Sequence, residues 1–547
     1  MKKRALALLV ALLLCAGPVA LAETNIFGWD VPDQPLVISI FSRNDNWTEL
    51  AEQKQGIADM IKYLKDNFNI EFSYQTTDGN GTEELNRMLA ANTYPDVLVN
   101  VETVSREQIV EQGRAVNLTE YVNNSPNLLK KMGSLKGMYE DDDGQIFYLP
   151  SYFGNLMDLP DYTSHVRYDE YTSIGSPKIE TPQDYFDVIM QILEKYPTTP
   201  NGDSRYSLTF YNQGFPEIAS GYWGLIRGYK VDADNNLTYW TETEEGKAMA
   251  KFFNNWWRTG TMDPESFTNL WNDARTKISQ ERVVGLIGGW WIGYNAGHEI
   301  WSLTDPNWTE EMRFIQVTFK APEAEHAYLT CKNNLGSAWT IITDKCQDPA
   351  GVMKFIDFAM TDPGAALLNW GMPGDLPSYK DPSKTIAMWH ITSPTDWSFD
   401  PVAKQQFIAE IWDYNDEGVF GVNTGIFDLV VNYDRWDDGE SCVWGNQMWY
   451  SENKWKGIMF ENTKGTIFDQ TALLAQMLPM SPEVTMAYQA ITDTWKQYYP
   501  LACMAASDEE FEAAWTTLQN AVRDADLATY VAYRTENYKR NLSKMGG

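Results

Sequence analysis

The stretch that most narrows the possible folds lies near the start of the chain. Leu36–Phe41 (L-V-I-S-I-F) reads as a strand. A helix follows, with Ile57, Met60, Ile61 and Leu64 on one stripe at i, i+3, i+4, i+7. Ile70, Phe72 and Tyr74 alternate as a second strand, Glu83–Ala91 forms a short helix, and Pro95-Asp96 opens a third strand at Val97–Val101. Strand, helix, strand, helix, strand is the rhythm of an open parallel sheet, because parallel neighbours need a crossover long enough to hold a helix. Ligands of such sheets bind beyond the carboxyl ends of the strands. Topology alone therefore nominates the loop Asn44–Trp47, with Asp45 and Trp47, and the stretch around Glu102.

A second feature lies at Val283–Asn295, V-V-G-L-I-G-G-W-W-I-G-Y-N. Val283–Ile287 fits a short buried strand, and Gly288 and Gly289 follow at once. Glycine lets backbone approach a ligand closely. Trp290 and Trp291 then offer flat apolar faces, each with one N–H donor. The same residues also fit a core strand followed by two packed tryptophans.

Between these features the chain alternates again. Gln145–Pro150 (Q-I-F-Y-L-P) reads as a strand crossing between two lobes, with Tyr152 just beyond it. Thr181-Pro182 opens a helix through Lys195 whose apolar side is Tyr185, Val188, Ile189 and Ile192. Tyr206–Tyr211 is a strand, with Tyr222 and Trp223 after it, and Lys247–Trp257 is an amphipathic helix. Phe314–Lys320 is expected to carry the chain back, and Ser337–Thr343 to re-enter the first lobe. Pro349–Met360 is a helix, and Asn369–Gly374 is an aromatic-glycine turn containing Trp370. A capping box, Ser507-x-x-Glu510, starts a late helix with Phe511, Trp515, Leu518 and Val522 as its buried stripe. These readings predict an α/β fold of two lobes, each a mixed sheet flanked by helices, with extra helices at the C-terminal end. The expected division is 1–22 leader, 23–150 with 315–375 as lobe I, and 151–314 with 376–547 as lobe II. A chain of 547 residues exceeds what one hydrophobic core supports.

Lys2, Lys3 and Arg4 precede the apolar run Ala5–Leu14, and Ala20-Leu21-Ala22 gives a small-x-small cleavage pattern. A signal peptide cleaved after Ala22 is expected, placing the protein outside the cytoplasm, in the extracellular space or cell envelope (the periplasm where there are two membranes). Leu14, which is not small, precedes Cys15 and argues against a lipid anchor there. The 43 basic and 75 acidic residues leave a net charge of −32, which disfavours nucleic acid, anionic membrane surfaces and polyanionic substrates. Aromatic residues make up 14% of the chain, with 22 Trp and 29 Tyr. That excess suits surfaces that are apolar and hydrogen-bonding together, as sugars and peptides both require.

The motif inventory lacks catalytic signatures such as Walker A or GxSxG. His165, His298, His326 and His390 have no paired spacing. Asp232-x-Asp234-x-Asn236 begins like an EF-hand, but Leu237 and Thr243 replace its glycine and glutamate, so a hairpin turn is expected. Cys331, Cys346, Cys442 and Cys503 lack CxxC spacing. Cys331 with Cys346 and buried free thiols both fit the sequence.

In order and spacing, several pieces together are familiar. They are Asn86–Ala91 then Tyr94–Val97, Gly113 then Leu118, Gln145–Pro150, Val166–Asp169, Thr181–Tyr185, Gly260–Glu265, Val284–Trp291 and Tyr538-Lys539-Arg540. Over nearly the whole chain past the leader, the sequence resembles the large extracellular solute-binding proteins of ABC importers, the carbohydrate-binding group related to maltose-binding protein. The resemblance implies a hinge-closing fold of the periplasmic-binding-protein type II that traps a ligand and delivers it to transmembrane permease subunits, as a monomer and without cofactor or catalysis. It implies that Trp290 or Trp291 stacks on a sugar, with Tyr152 a further contact. Many large members carry a calcium loop, but Thr199-Pro200-Asn201-Gly202-Asp203 lacks its leading acid, which argues against calcium. The ligand-binding residues expected are Trp290, Trp291, Trp47, Tyr152, Tyr222, Trp223 and Trp370, with Asp45 and Glu102 accepting from hydroxyls. The rivals left open are a secreted glycoside hydrolase using a carboxylate pair and a peptide-binding importer component.

Overall fold

The structure is a computed structural model. It describes residues 25, 27–43, 55–75, 80–151, 153, 159–160, 162–210, 215–332, 335–336, 338–370, 372, 375–377, 383, 385–387, 454–475, 477–478 and 480–546. The principal elements in chain order are β1 (Leu36–Ser42), α1 (Gln55–Phe68), β2 (Ile70–Tyr74), α2 (Gly81–Ala91), β3 (Val97–Val101), α3 (Thr103–Glu111) and β4 (Leu149–Ser151). Then follow β5 (Tyr162–Arg167), α4 (Pro182–Lys195), β6 (Tyr206–Thr209), α5 (Glu244–Trp257), β7 (Val283–Gly289) and β8 (Phe314–Val317). The last are β9 (Ala338–Ile342), α6 (Pro349–Ala359), α7 (Pro482–Cys503), α8 (Asp508–Asp524) and α9 (Leu527–Lys544). Contacts divide the chain into two compact units. The first takes the described residues of Met1–Gly133, Tyr139–Tyr152 and Ser337–Gln447; the second takes those of Ser134–Met138, Phe153–Gly336 and Met448–Gly547.

In the first unit the sheet order is β2-β1-β3-β9-β4, with β1 parallel to β2 and β3, and β9 antiparallel to β3 and β4. Every residue of β3 is buried, as a central strand covered on both faces requires. On the helix α1, Met60, Leu64 and Phe68 turn inward. Asn100 breaks the regularity of β3: its φ is 57°, and the pairing of β9 with β3 shifts register between Trp339 and Ile341. A bulge of this kind re-aims side chains at the end of a strand.

In the second unit the order is β8-β5-β7-β6. Helix α4 starts at the expected Thr181 cap, where Thr181 and Asp184 form a capping box around Pro182. It buries Tyr185, Val188, Ile189 and Ile192, the expected stripe. Gly285 on β7 makes that close packing possible, because a Cβ there would lie 2.7 Å from the Ile189 Cδ1 and 2.9 Å from the Tyr185 hydroxyl. Helix α8 buries Phe511, Trp515, Leu518 and Val522 as expected, and joins α5, α7 and α9 in one apolar core with the sheet. Ser507 caps α8 through the Glu510 amide, while Glu510 reaches the amide of Ala506, one residue before the box position.

Four expectations change. Phe314–Val317 does not carry the chain back: it pairs antiparallel with Arg167–Ser164 inside the second unit, and the return falls after Gly336. Residues 376–377 and 385–387, expected in lobe II, belong to the first unit. The strand expected at Gln145–Pro150 shrinks to Leu149–Ser151, since Ile146 spends its amide on the Thr119 hydroxyl at 2.9 Å. The aromatic excess also has a different destination from surfaces alone. Trp240, Trp256 and Trp515 are fully buried, and Trp240 meets Tyr499 edge-on at 5.5 Å.

Cys346 and Cys503 are free thiols, each pushed up by burial, to about 11 and about 12. Residues Asp232–Asn236 form the expected hairpin turn, the Asp232 carboxylate accepting from the amides of Asp234 and Asn236. Among the described residues no helix is long and apolar enough to cross a membrane, and no group of three or more His, Cys, Asp or Glu is placed to hold a metal ion.

Candidate functional site

In the second unit, β7 ends at Gly289 beside Tyr162, the first residue of β5. A short helix, Trp290–Gly293, begins there. The two glycines before it are explained by space. A Cβ on Gly289 would lie 2.4 Å from the Trp291 indole, and one on Gly288 would lie 2.5 Å from Ile292 Cδ1. Gly289 has an ordinary φ of −69°, so it is the ring that needs glycine there and not the backbone. Trp291, half-buried over Gly289, meets Tyr162 edge-on at 5.1 Å and 78°. Trp290 stands at 87° to Trp291, with centroids 6.2 Å apart, and is 41% exposed. An indole that open beside a seated aromatic pair presents an apolar face with one N–H donor.

The chain behind Trp290 is a π-helical turn, Tyr294–His298, an arrangement frequent at functional sites. Gly293 and Gly297 let it lie against Phe314 and Trp301. Arg227 completes the row: its guanidinium lies 4.9 Å above the Tyr162 ring. In the order Arg227, Tyr162, Trp291, Trp290, a cation and three rings follow one another along the end of the sheet.

The first unit has its own strand-end cluster. Arg43, directly after β1, donates from Nε to the Asn100 carbonyl at 2.7 Å and pairs with Glu102 at 3.0 Å. Arg106 on α3 is buried between two rings, 4.4 Å from the centroid of Tyr148 and 4.5 Å from that of Trp339. The Trp339 indole N–H donates to the Thr103 hydroxyl at 3.2 Å, which fixes that ring. Burial raises the Glu107 pKa, against the pull of Arg106.

Of the residues expected at a site, Trp290 and Trp291 come together in the second unit. Glu102 is half-exposed in the first unit and already holds Arg43, keeping some acceptor capacity. Tyr222 and Trp223 are corrected to core residues. The Tyr222 hydroxyl is 2.6 Å from Ser164 Oγ, and its ring stacks on Phe319 at 4.0 Å. Trp223 packs against Phe252 at 5.6 Å. The segment Phe319–Leu329 joins these residues in the same core. Asp45, Trp47 and Tyr152, together with the side chain of Trp370, lie outside the described residues. Arg227, Tyr162 and Arg106 escaped the sequence reading. The one available signal was Gly228 after Arg227, a turn marker.

Two histidines give this unit an acid sensitivity. Burial pushes His165 on β5 down to about 3, a little offset by the Leu286 carbonyl. His298 is lowered to about 4, by burial and then by Arg313. Both folded values lie below the ordinary 6.5. The unfolded chain therefore binds more protons below that value, and stability falls as pH drops through it. A His165→Leu variant, whose residue 165 cannot be charged, is expected to lose less stability than wild type between about pH 7 and about pH 4 in urea denaturation. Parallel profiles would show that His165 does not titrate against folding.

No family model and no curated protein matches the sequence. Solved structures do match. An alginate-binding protein, AlgQ2, without calcium ion, aligns at 15% identity with a TM-score of 0.60, over 93% of this chain and 99% of that one. The S. pneumoniae ABC-transporter substrate binding protein FusA, an EF-hand mutant in complex with fructo-nystose, aligns at 14% and 0.63, again over 93% and 99%. An extracellular solute-binding protein from Bifidobacterium longum subsp. infantis aligns at 13% and 0.64 with the same coverage. Such likeness over nearly all of this chain gives the fold: this chain has the α/β fold of these solute- and substrate-binding proteins.

Proposed function

We propose that the protein is the substrate-binding component of an ABC importer and that its ligand is a carbohydrate, an oligosaccharide, passed on unaltered to a membrane permease. The observation that carries this reading is the exposed Trp290 beside the Trp291–Tyr162 pair at the carboxyl end of β7. Sugar C–H faces lie on such rings, and indole N–H and nearby polar groups take the hydroxyls. The fold is compatible with it, and the names of its structural neighbours include binders of alginate and fructo-nystose. The basic and apolar start of the sequence supports export, with the protein working outside the cytoplasm.

Calorimetry of purified protein against a glycan panel tests the proposal. Trp290→Ala is expected to weaken the best ligand about tenfold, the loss of one stacked ring. The bound glycan should be recovered chemically intact. Wild-type affinity in both Trp290→Ala and Trp291→Ala would place the site elsewhere, and hydrolysis of the glycan would replace a carrier with an enzyme.

A further inference from the structure

Arg227 sits where an arginine is costly. Ile226 and Tyr229 exchange backbone hydrogen bonds at 2.8 and 3.0 Å, so Arg227 and Gly228 are the two central residues of a tight hairpin turn. Both have positive φ, 50° and 83°. A turn of that kind takes Asn-Gly or Gly-Gly, because a side chain in the left-handed region crowds its own backbone. Non-glycine residues held there cluster at ligand sites, where the cost is retained for function.

The side chain also lacks a direct polar partner. Arg227 is half-buried, yet among the described residues it makes no ion pair and donates no side-chain hydrogen bond. Glu217 lies within its electrostatic reach, but its carboxylate accepts from the Tyr239 hydroxyl at 3.1 Å and it is shared with Arg534. What Arg227 does touch is Tyr162, the ring that Trp291 also meets. A guanidinium carries a fixed positive charge and five donors in a planar fork that suits a carboxylate.

We infer that the ligand is an acidic saccharide, and that Arg227 binds its carboxylate while the sugar rings lie on Trp290 and Trp291. This rests on the carbohydrate reading above and narrows it. The net charge of −32 sets a long-range field against an anion, so the attraction must come from a local, bidentate pair. One carboxylate at one arginine meets that requirement, whereas a dense polyanion does not.

The test uses the full chain and pairs of glycans: uronic-acid-terminated oligosaccharides, each beside its carboxyl-reduced neutral counterpart. Calorimetry should find at least one pair whose acidic member binds about tenfold or more tightly, as expected for a charge-assisted pair. Arg227→Gln should remove that difference by weakening the acidic member far more than the neutral one, and Arg227→Lys should keep part of it. Arg227→Asn, the residue this turn prefers, should leave the Tm unchanged or higher while abolishing the discrimination; a Tm that falls would mark Arg227 as structural and overturn the inference. Equal binding of both members in every pair that binds overturns the inference alone, as does discrimination that survives Arg227→Gln. Failure of every glycan, acidic or neutral, overturns the carbohydrate reading with it.

Discussion

Lys277→Met is expected to destabilise the protein by about 3–5 kcal/mol, because it strands a buried carboxylate. Asp263 is fully buried, and Lys277 Nζ lies 2.9 Å from both of its oxygens. Lys277 also donates to Asn269 at 2.8 Å and pairs with Glu265 at 2.7 Å. The Thr209 hydroxyl and the Asn269 amide donate to the same Asp263 Oδ2 at 2.6 and 2.8 Å. Burial alone would raise the Asp263 pKa. Hydrogen bonds from Thr209, Lys277 and Asn269 outweigh it and hold the group below the usual carboxylate range. A depressed folded pKa means stability that is present at neutral pH and lost as acid protonates the group. Without Lys277, Asp263 relieves its stranded charge by taking up a proton, so the gap between variant and wild type should narrow from about pH 7 to about pH 5. The double variant Asp263→Asn/Lys277→Met should cost less than the two single changes added together. Denaturation followed by tryptophan fluorescence reads all three. A cost below about 1 kcal/mol at neutral pH would mean that water reaches the pair and that it behaves as a surface ion pair.

That network also shows what the sequence could and could not say. Asp263 was readable only as part of the piece Gly260–Glu265, and nothing in its spacing joined it to Thr209 or Lys277. Periodicity fared better because it reports burial directly. Strands β2 and β3, helix α4 and the stripe of α8 lie where alternation and the i, i+3, i+4 pattern put them. Pattern fails where partners are remote. The four buried residues of β8 would fit either sheet, and only pairing with β5 assigns them. An indole looks the same in sequence whether it ends up open, as Trp290 is, or packed, as Trp223 is. The glycines before Trp290 were the usable difference, since they made room for rings at the end of a strand. For Arg227 only Gly228 marked a turn, and the arginine itself was unreadable because a left-handed φ on it contradicts local preference.

Gly289→Ala is expected to weaken ligand binding about 100-fold, though the substitution adds one methyl group and touches no ligand. The new Cβ would fall 2.4 to 2.5 Å from Cη2, Cζ2 and Cζ3 of Trp291. Backbone at Gly289, with φ −69° and ψ 148°, accepts alanine readily, so the conflict is borne by the ring. The indole must swing off its seat, and with it go the edge-to-face contact to Tyr162 and the wall against which Trp290 stands. More than one aromatic surface is lost at once, which is why the effect should exceed that of removing the Trp290 ring alone. Gly288→Ala is the matched control. Its Cβ would meet the flexible tip of Ile292, which can turn aside, and affinity should stay within about threefold. Trp291→Ala and Gly289→Ala act through the same ring, so their combination should cost no more than Trp291→Ala by itself. Calorimetry with the best glycan of the panel, beside near-ultraviolet dichroism to confirm packing, measures each variant. Near wild-type binding in Gly289→Ala, with a visibly displaced indole, would show that Trp291 serves the fold and not the ligand.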